Sequence, residues 1–163
     1  MTTTTATATP TTDPTPRLAS FTATGRSTGQ LSTAVSARQF GFVVAEPPSL
    51  GGTDEGANPI EYVLGALSGC VTVVVETVAA ELGIAVDGVG TGATGTLDIR
   101  GFAGTADVSP HFQTLALTIT LTTTVPEEEL AELKAQVVRR CPLFNLVRDA
   151  GVPIEETWLV QAV

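Results

Sequence analysis

The chain has 163 residues, 43% hydrophobic and 15% charged, with a formal net charge of −9. That length holds one domain with enough apolar material for a core, and is too short for two full enzymatic domains. An acidic chain with no basic stripe repels phosphate backbones, which argues against a nucleic-acid partner. One His (His111) and two Cys (Cys70 and Cys141) leave a structural zinc site short of ligands.

The N-terminus lacks a basic segment followed by an apolar run, so no secretory signal is read. Residues 1–17 contain nine Thr and three Pro and no large apolar side chain beyond the initial Met. Such a segment buries too little to offset its ordering entropy, and a disordered tail is expected there, with one folded domain over 18–163. Three short strands follow, at 18–24, 30–36 and 39–45, with Gly25 and Gly29 bracketing the first turn. The Pro- and Gly-dense stretch 47–58 reads as loop.

Asn58 suits an N-cap, Pro59 the first helical position, and Glu61 lies three residues after the cap, as in a capping box. The helix is predicted from Pro59 to about Leu82, stopped by Gly83. Val71, Val73, Val74 and Val75 with Thr72 form a β-branched run that locally prefers strand, but the caps and the length favour helix. From 62 to 75 the helix is apolar nearly all round, so it should be buried on every side. A single small sheet cannot cover it, and a second subunit is expected to cover the rest. This apolar stretch, bounded by Glu61 and Glu76, falls short of the roughly 20 residues that span a bilayer, so no membrane role is expected.

Beyond Gly83, residues 96–100 form a short strand candidate. Residues 112–124 give the clearest strand: Leu115, Leu117, Ile119 and Leu121 alternate with Ala116, Thr118, Thr120 and Thr122. Pro126 and three Glu then open a second helix, matched to the helix dipole and ending near Arg139–Arg140. Pro142 interrupts it, a short helix spans 143–150 up to Gly151, and 152–160 is a final strand. The order is β-β-β-α-β-β-α-α-β, an α+β class.

Few motifs carry chemistry. Gly90, Gly92 and Gly95 match G-x-G-x-x-G, but between a helix and a strand rather than after a strand and opening a helix, so they read as a flexible turn. His111 follows Pro110 and reads as a solvated turn residue. The cysteines remain. Cys70, mid-helix in an apolar segment, is either an inert buried thiol or a reactive one. Cys141 follows Arg139 and Arg140, cations that would lower a thiol's pKa unless they are simply a solvated helix end. Two thiols 71 positions apart do not form a small secreted disulfide scaffold, and a cytoplasmic setting is expected.

The run from Phe40 to Cys70, with its Pro-Pro-x-x-Gly-Gly loop, Asn-Pro helix start and Ala/Gly/Leu-rich helix bearing Cys, resembles the OsmC/Ohr family of osmotically inducible and organic hydroperoxide resistance proteins. Arg140-Cys141-Pro142 and the strand order match as well. The resemblance implies an OsmC-like fold, with antiparallel sheets around a long buried central helix in an intertwined homodimer whose active sites lie at the subunit interface. It also implies a thiol peroxidase for organic hydroperoxides. Cys70 would attack the O–O bond as thiolate, and Cys141 would resolve the sulfenic acid to a disulfide reopened by an external dithiol reductant, with no bound cofactor and no metal. The family's active-site Arg would be Arg26 or Arg38. Its Glu directly follows Asn-Pro, where this chain has Ile60; Glu61 is nine residues before Cys70 and so on the far side of the helix, leaving a capping role or a contact through the partner subunit. This shift resembles the broader OsmC-like branch. On the same scaffold the alternatives are a hydrophobic-ligand-binding protein without peroxidase activity, or another thiol-based enzyme such as a thioesterase or transferase.

Overall fold

A computed structural model describes residues 15–163. The expected disordered tail therefore lies outside the described residues, except for Thr15, Pro16 and Arg17. Strands β1 (Thr24–Gly29), β2 (Ser32–Ala37) and β3 (Phe40–Ala45) form an antiparallel sheet in that order. The first strand is displaced from its expected place at 18–24. The segment read as a turn is itself β1, and the hairpin turns at Gln30 and Leu31, both at positive φ (49° and 56°) as a two-residue primed turn requires. Leu18 and Phe21 are each 94% exposed, so the apolar pattern at 18–23 marks surface with no strand partner among the described residues.

The loop after β3 is held against that strand. Ala45 N–H donates to Ala57 O (3.2 Å) and Asp54 N–H to Glu46 O (3.1 Å). A Cβ on Gly52 would sit 1.8 Å from the Glu46 carbonyl oxygen, and one on Gly56 2.1 Å from that of Val43. Glycine is required here because backbone meets backbone.

Helix α1 (Pro59–Leu82) runs for 24 residues, as its caps foretold. Asn58 Oδ1 accepts from Glu61 N–H (2.9 Å), Glu61 Oε2 accepts from Asn58 N–H (2.8 Å), and Gly83 closes the far end in the left-handed conformation. Its length and composition are sufficient to cross a membrane, so the shorter apolar stretch was a poor measure of it. Leu67, Val71, Val75, Val78 and Ala79 bury one face. The opposite face stays exposed in the single chain, with Val73 61% exposed, so the chain's own sheets and helices cover only one side, as expected of so small a sheet layer.

The second sheet comprises β4 (Gly88–Leu97), β5 (Phe112–Thr122) and β6 (Ile154–Gln161). The glycine motif at 90–95 is strand, not turn. It pairs antiparallel with β5, and the Phe112 ring occupies the space a Cβ on Gly95 would need. The strand expected at 96–100 is the end of β4 followed by a short helix α2 (Ile99–Ala103), capped by Asp98. In β5, Leu115, Leu117, Ile119 and Leu121 are buried as their alternation predicted. The sheet is mixed rather than antiparallel throughout, because β6 runs parallel to β5. A 3-10 turn (Glu127–Leu130), α3 (Ala131–Arg140) and α4 (Pro142–Asp149) make the crossover that this pairing requires. Leu130, Leu133, Val137, Cys141 and Phe144 join the buried face of α1 and β5 in one core.

Gly52→Ala should lower the unfolding free energy from urea titration by about 1–3 kcal/mol, the range typical of overpacking, and so lower the urea midpoint. Gly92→Ala, at a strand position with nothing within 4 Å, should be nearly neutral. Equal midpoints for the two variants would refute the backbone-contact account of the loop.

Candidate active site

Cys70 lies halfway along α1, partly buried against the core. Cys141 lies at the corner between α3 and α4, fully buried, with extended backbone (φ −72°, ψ 114°). Pro142 creates that corner, since it has no N–H to continue α3 yet suits the first position of α4. Because α3 and α4 pack across α1, the two sulfurs meet: Cys141 Sγ–H donates to Cys70 Sγ at 3.4 Å, and both thiols are free.

The thiols differ in environment. Burial pushes the Cys141 thiol from its ordinary 9.0 up to about 11, against the N–H groups of Phe144 and Leu143 that face it; the hydrogen bond to Cys70 adds to the rise. The preceding arginines therefore do not make it a thiolate. Arg140 reaches away to form a two-pronged ion pair with Glu81 near the end of α1, with Nη2 to Oε1 at 2.9 Å, and that contact holds the Glu81 carboxyl below its usual value. Arg139 bonds Gln136. At neutral pH the proton thus stays on Cys141 and points at Cys70.

The corner has a further support that the sequence reading missed. Asn145 Nδ2 donates to Cys141 O (2.7 Å), Val138 O (2.9 Å) and Arg139 O (3.3 Å). The available signal was Pro142, which strips the preceding turn of a backbone donor and calls for a side-chain replacement nearby.

The other expected site residues lie apart from the sulfurs. Arg26 is exposed on β1, paired with Ala34 across the sheet, and its guanidinium makes no hydrogen bond or ion pair among the described residues. Arg38 occupies the β2–β3 turn at φ 55°, its guanidinium 5.1 Å from the centre of the Phe40 ring. The first sheet meets α1 through Tyr62, whose hydroxyl donates to Val43 O (2.8 Å) and whose ring lies 4.8 Å from Phe42. Tyr62 precedes Cys70 by eight residues, about 12 Å along a helix axis. Glu61 is engaged in the capping box, about 13 Å along the axis from Cys70. His111 Nδ1 lies 2.6 Å from Phe112 O. Among the described residues no group of three His, Cys, Asp or Glu side chains is placed to hold a metal. An apolar groove of about 270 Å³, lined by Leu50, Pro59, Ile60, Leu97, Ile99 and Phe102 among others, opens at the start of α1.

A long capped helix laid over a mixed sheet, with two free thiols in contact beneath it, defines a dithiol protein of α+β architecture. The chain belongs to the OsmC-like protein family, whose sequence profile matches residues 52–157, well over half its length. An OsmC-like protein from Mycoplasma pneumoniae superposes with a TM-score of 0.76 at 18% identity, covering 87% of this chain and 97% of the other. An organic hydroperoxide resistance protein from Elizabethkingia anophelis superposes at 0.65 with 22% identity (90% and 99% covered), and one from Legionella pneumophila at 0.64 with 19% (90% and 99%). At these identities the structures share the fold. No curated protein matches the chain in sequence.

The raised Cys141 pKa has a consequence for stability. The unfolded chain loses this proton near pH 9 and the folded chain near pH 11, so the folded form holds more protons in that window. Stability from this thiol is fully present below about pH 9 and is lost as the pH rises through about 11. Under reducing conditions, the urea stability of wild type minus that of Cys141→Ser should fall between those limits. A flat difference across the window would show that burial does not hold the proton on Cys141.

Proposed function

We propose that the chain is a two-cysteine thiol peroxidase for organic hydroperoxides. The observation that carries this reading is the 3.4 Å approach of two free sulfurs from positions 71 residues apart. The organic hydroperoxide resistance proteins that share the fold point the same way. Cys70 is the attacking sulfur, since it is partly exposed whereas Cys141 is buried and protonated. The Cys70 thiolate attacks one oxygen of ROOH, the O–O bond breaks, and the alkoxide takes a proton and leaves as ROH, with Cys70 as sulfenic acid. The Cys141 sulfur then displaces that oxygen, giving a Cys70–Cys141 disulfide and water. An external dithiol reductant exchanges with the disulfide and restores both thiols, so no bound cofactor is needed.

The working unit in this proposal is a homodimer. Val63 and Val73 on α1, with Phe40, Ile99 and Phe102 elsewhere, are large apolar side chains left exposed in the single chain. The small residues Gly65, Ala66 and Gly69 on the open face of α1 admit close approach of a second helix. In the dimer, Arg26 or Arg38 of one protomer would steady the thiolate and polarise the peroxide at the other's Cys70. Glu61 keeps its capping role unless the partner's site meets it. The apolar groove favours one second reading, a hydrophobic-ligand-binding protein on the same scaffold.

Reductant-dependent consumption of cumene hydroperoxide decides between them. Wild type should turn over, Cys70→Ser should be inactive, and Cys141→Ser should stall after one turnover or over-oxidise to the sulfinate. Wild type as slow as Cys70→Ser with both dithiothreitol and dihydrolipoamide would end the peroxidase reading and leave the groove as the place to seek a ligand. In light scattering the wild type should have twice the chain mass and Val73→Glu should be monomeric; a monomeric wild type would remove the dimer from the proposal.

A further inference from the structure

Helix α3 does not end as α1 and α2 do. Helices α1 and α2 close on left-handed glycines, Gly83 and Gly104. Helix α3 closes on Cys141, in an extended conformation. In a continuing helix the Val138 carbonyl would accept the N–H of residue 142, but that residue is Pro and has none. The Asn145 carboxamide supplies the donor instead, at 2.9 Å, and bonds Cys141 O (2.7 Å) and Arg139 O (3.3 Å) with the same nitrogen. The Asn145 backbone N–H also reaches Cys141 O (3.1 Å), so one residue binds that carbonyl twice. The backbone on both sides of the Cys141 thiol is thereby fixed to α4, while the thiol, faced by the Phe144 and Leu143 N–H groups, donates to Cys70.

We propose that Asn145 is a positioning residue for the resolving thiol. Its carboxamide locks the α3–α4 corner and so sets the effective concentration of the Cys141 sulfur at Cys70. This inference rests on the two-cysteine reading of the site. Disulfide formation from a sulfenic acid competes with a second oxidation to sulfinate. A loosened corner would slow the first process and favour the second, without touching the attack of Cys70 on peroxide.

The test equilibrates the protein with mixtures of oxidised and reduced dithiothreitol. The protein dithiol and oxidised dithiothreitol exchange to protein disulfide and reduced dithiothreitol, so electrons balance without any peroxide. Asn145→Ala should shift this equilibrium roughly tenfold toward the dithiol, the factor expected for about one net buried hydrogen bond. After one equivalent of cumene hydroperoxide, Cys70 should be oxidised as fast as in wild type but yield more sulfinate by mass spectrometry. Asn145→Leu keeps the side-chain volume and serves if the truncated corner does not fold. Thr123→Ala is the control: it removes buried hydrogen bonds to Ala85 O and Val125 N–H away from the thiols, and should lower stability without moving the exchange equilibrium. Wild-type equilibrium and sulfinate yield in the Asn145 variants, or a shift matched by Thr123→Ala, would overturn the positioning role. A wild type that forms no Cys70–Cys141 disulfide at any dithiothreitol ratio would instead defeat the two-cysteine reading itself, and this inference with it.

Discussion

Strand β6 runs parallel to β5, and no hairpin can join parallel neighbours. The chain must leave one end of β5, return over a face of the sheet and enter β6 from the same side. Helices α3 and α4 are that return, and they pack against α1 on the way. The apolar side chains Leu133, Val137 and Phe144 set how closely they settle on Leu67, Val71 and Val75. Cys141 reaches Cys70 because the crossover breaks at Pro142 where it passes that part of α1. The candidate chemistry therefore depends on the strand pairing, although neither cysteine is in a strand.

The same packing makes the thiols unequal. The crossover corner is sealed in the core, where charge is poorly solvated, so Cys141 keeps its proton far above neutral pH. Cys70 faces the partly open side of the same contact. Two chemically identical groups thus differ in environment because of their depth. The arginines before Cys141 do not alter this, because Arg140 is taken up by Glu81 and binds the crossover to α1 instead.

The open face of α1 is the other consequence of a thin architecture. A three-stranded sheet and two short helices cover one side of a 24-residue helix, and the first sheet adds only the contacts around Tyr62 near its start. The helix interior is correspondingly poor in charge. Its first turn is stabilised locally by the reciprocal Asn58–Glu61 bonds, so its start does not depend on what covers the rest.

Local chemistry was legible in the sequence wherever its partners lie within a few residues. The cap at Asn58, the stop at Gly83, the break at Pro142 and the alternation of β5 follow from covalent constraints and short-range periodicity, which a linear chain displays. The paired motifs around Cys70 and Cys141 marked the family in the same way. Elements defined by distant partners were not legible. Residues 18–23 look like a strand but pair with nothing among the described residues, whereas the glycine-rich β1 and β4 look like turns and are strands because β2 and β5 offer matching edges. Hydrogen-bond partners across a sheet, and the depth at which a thiol is sealed, are settled by the packing of segments far apart in the chain. For that reason the sequence alone could name the two cysteines, but only the tertiary structure could put one sulfur against the other and seal Cys141 in the core.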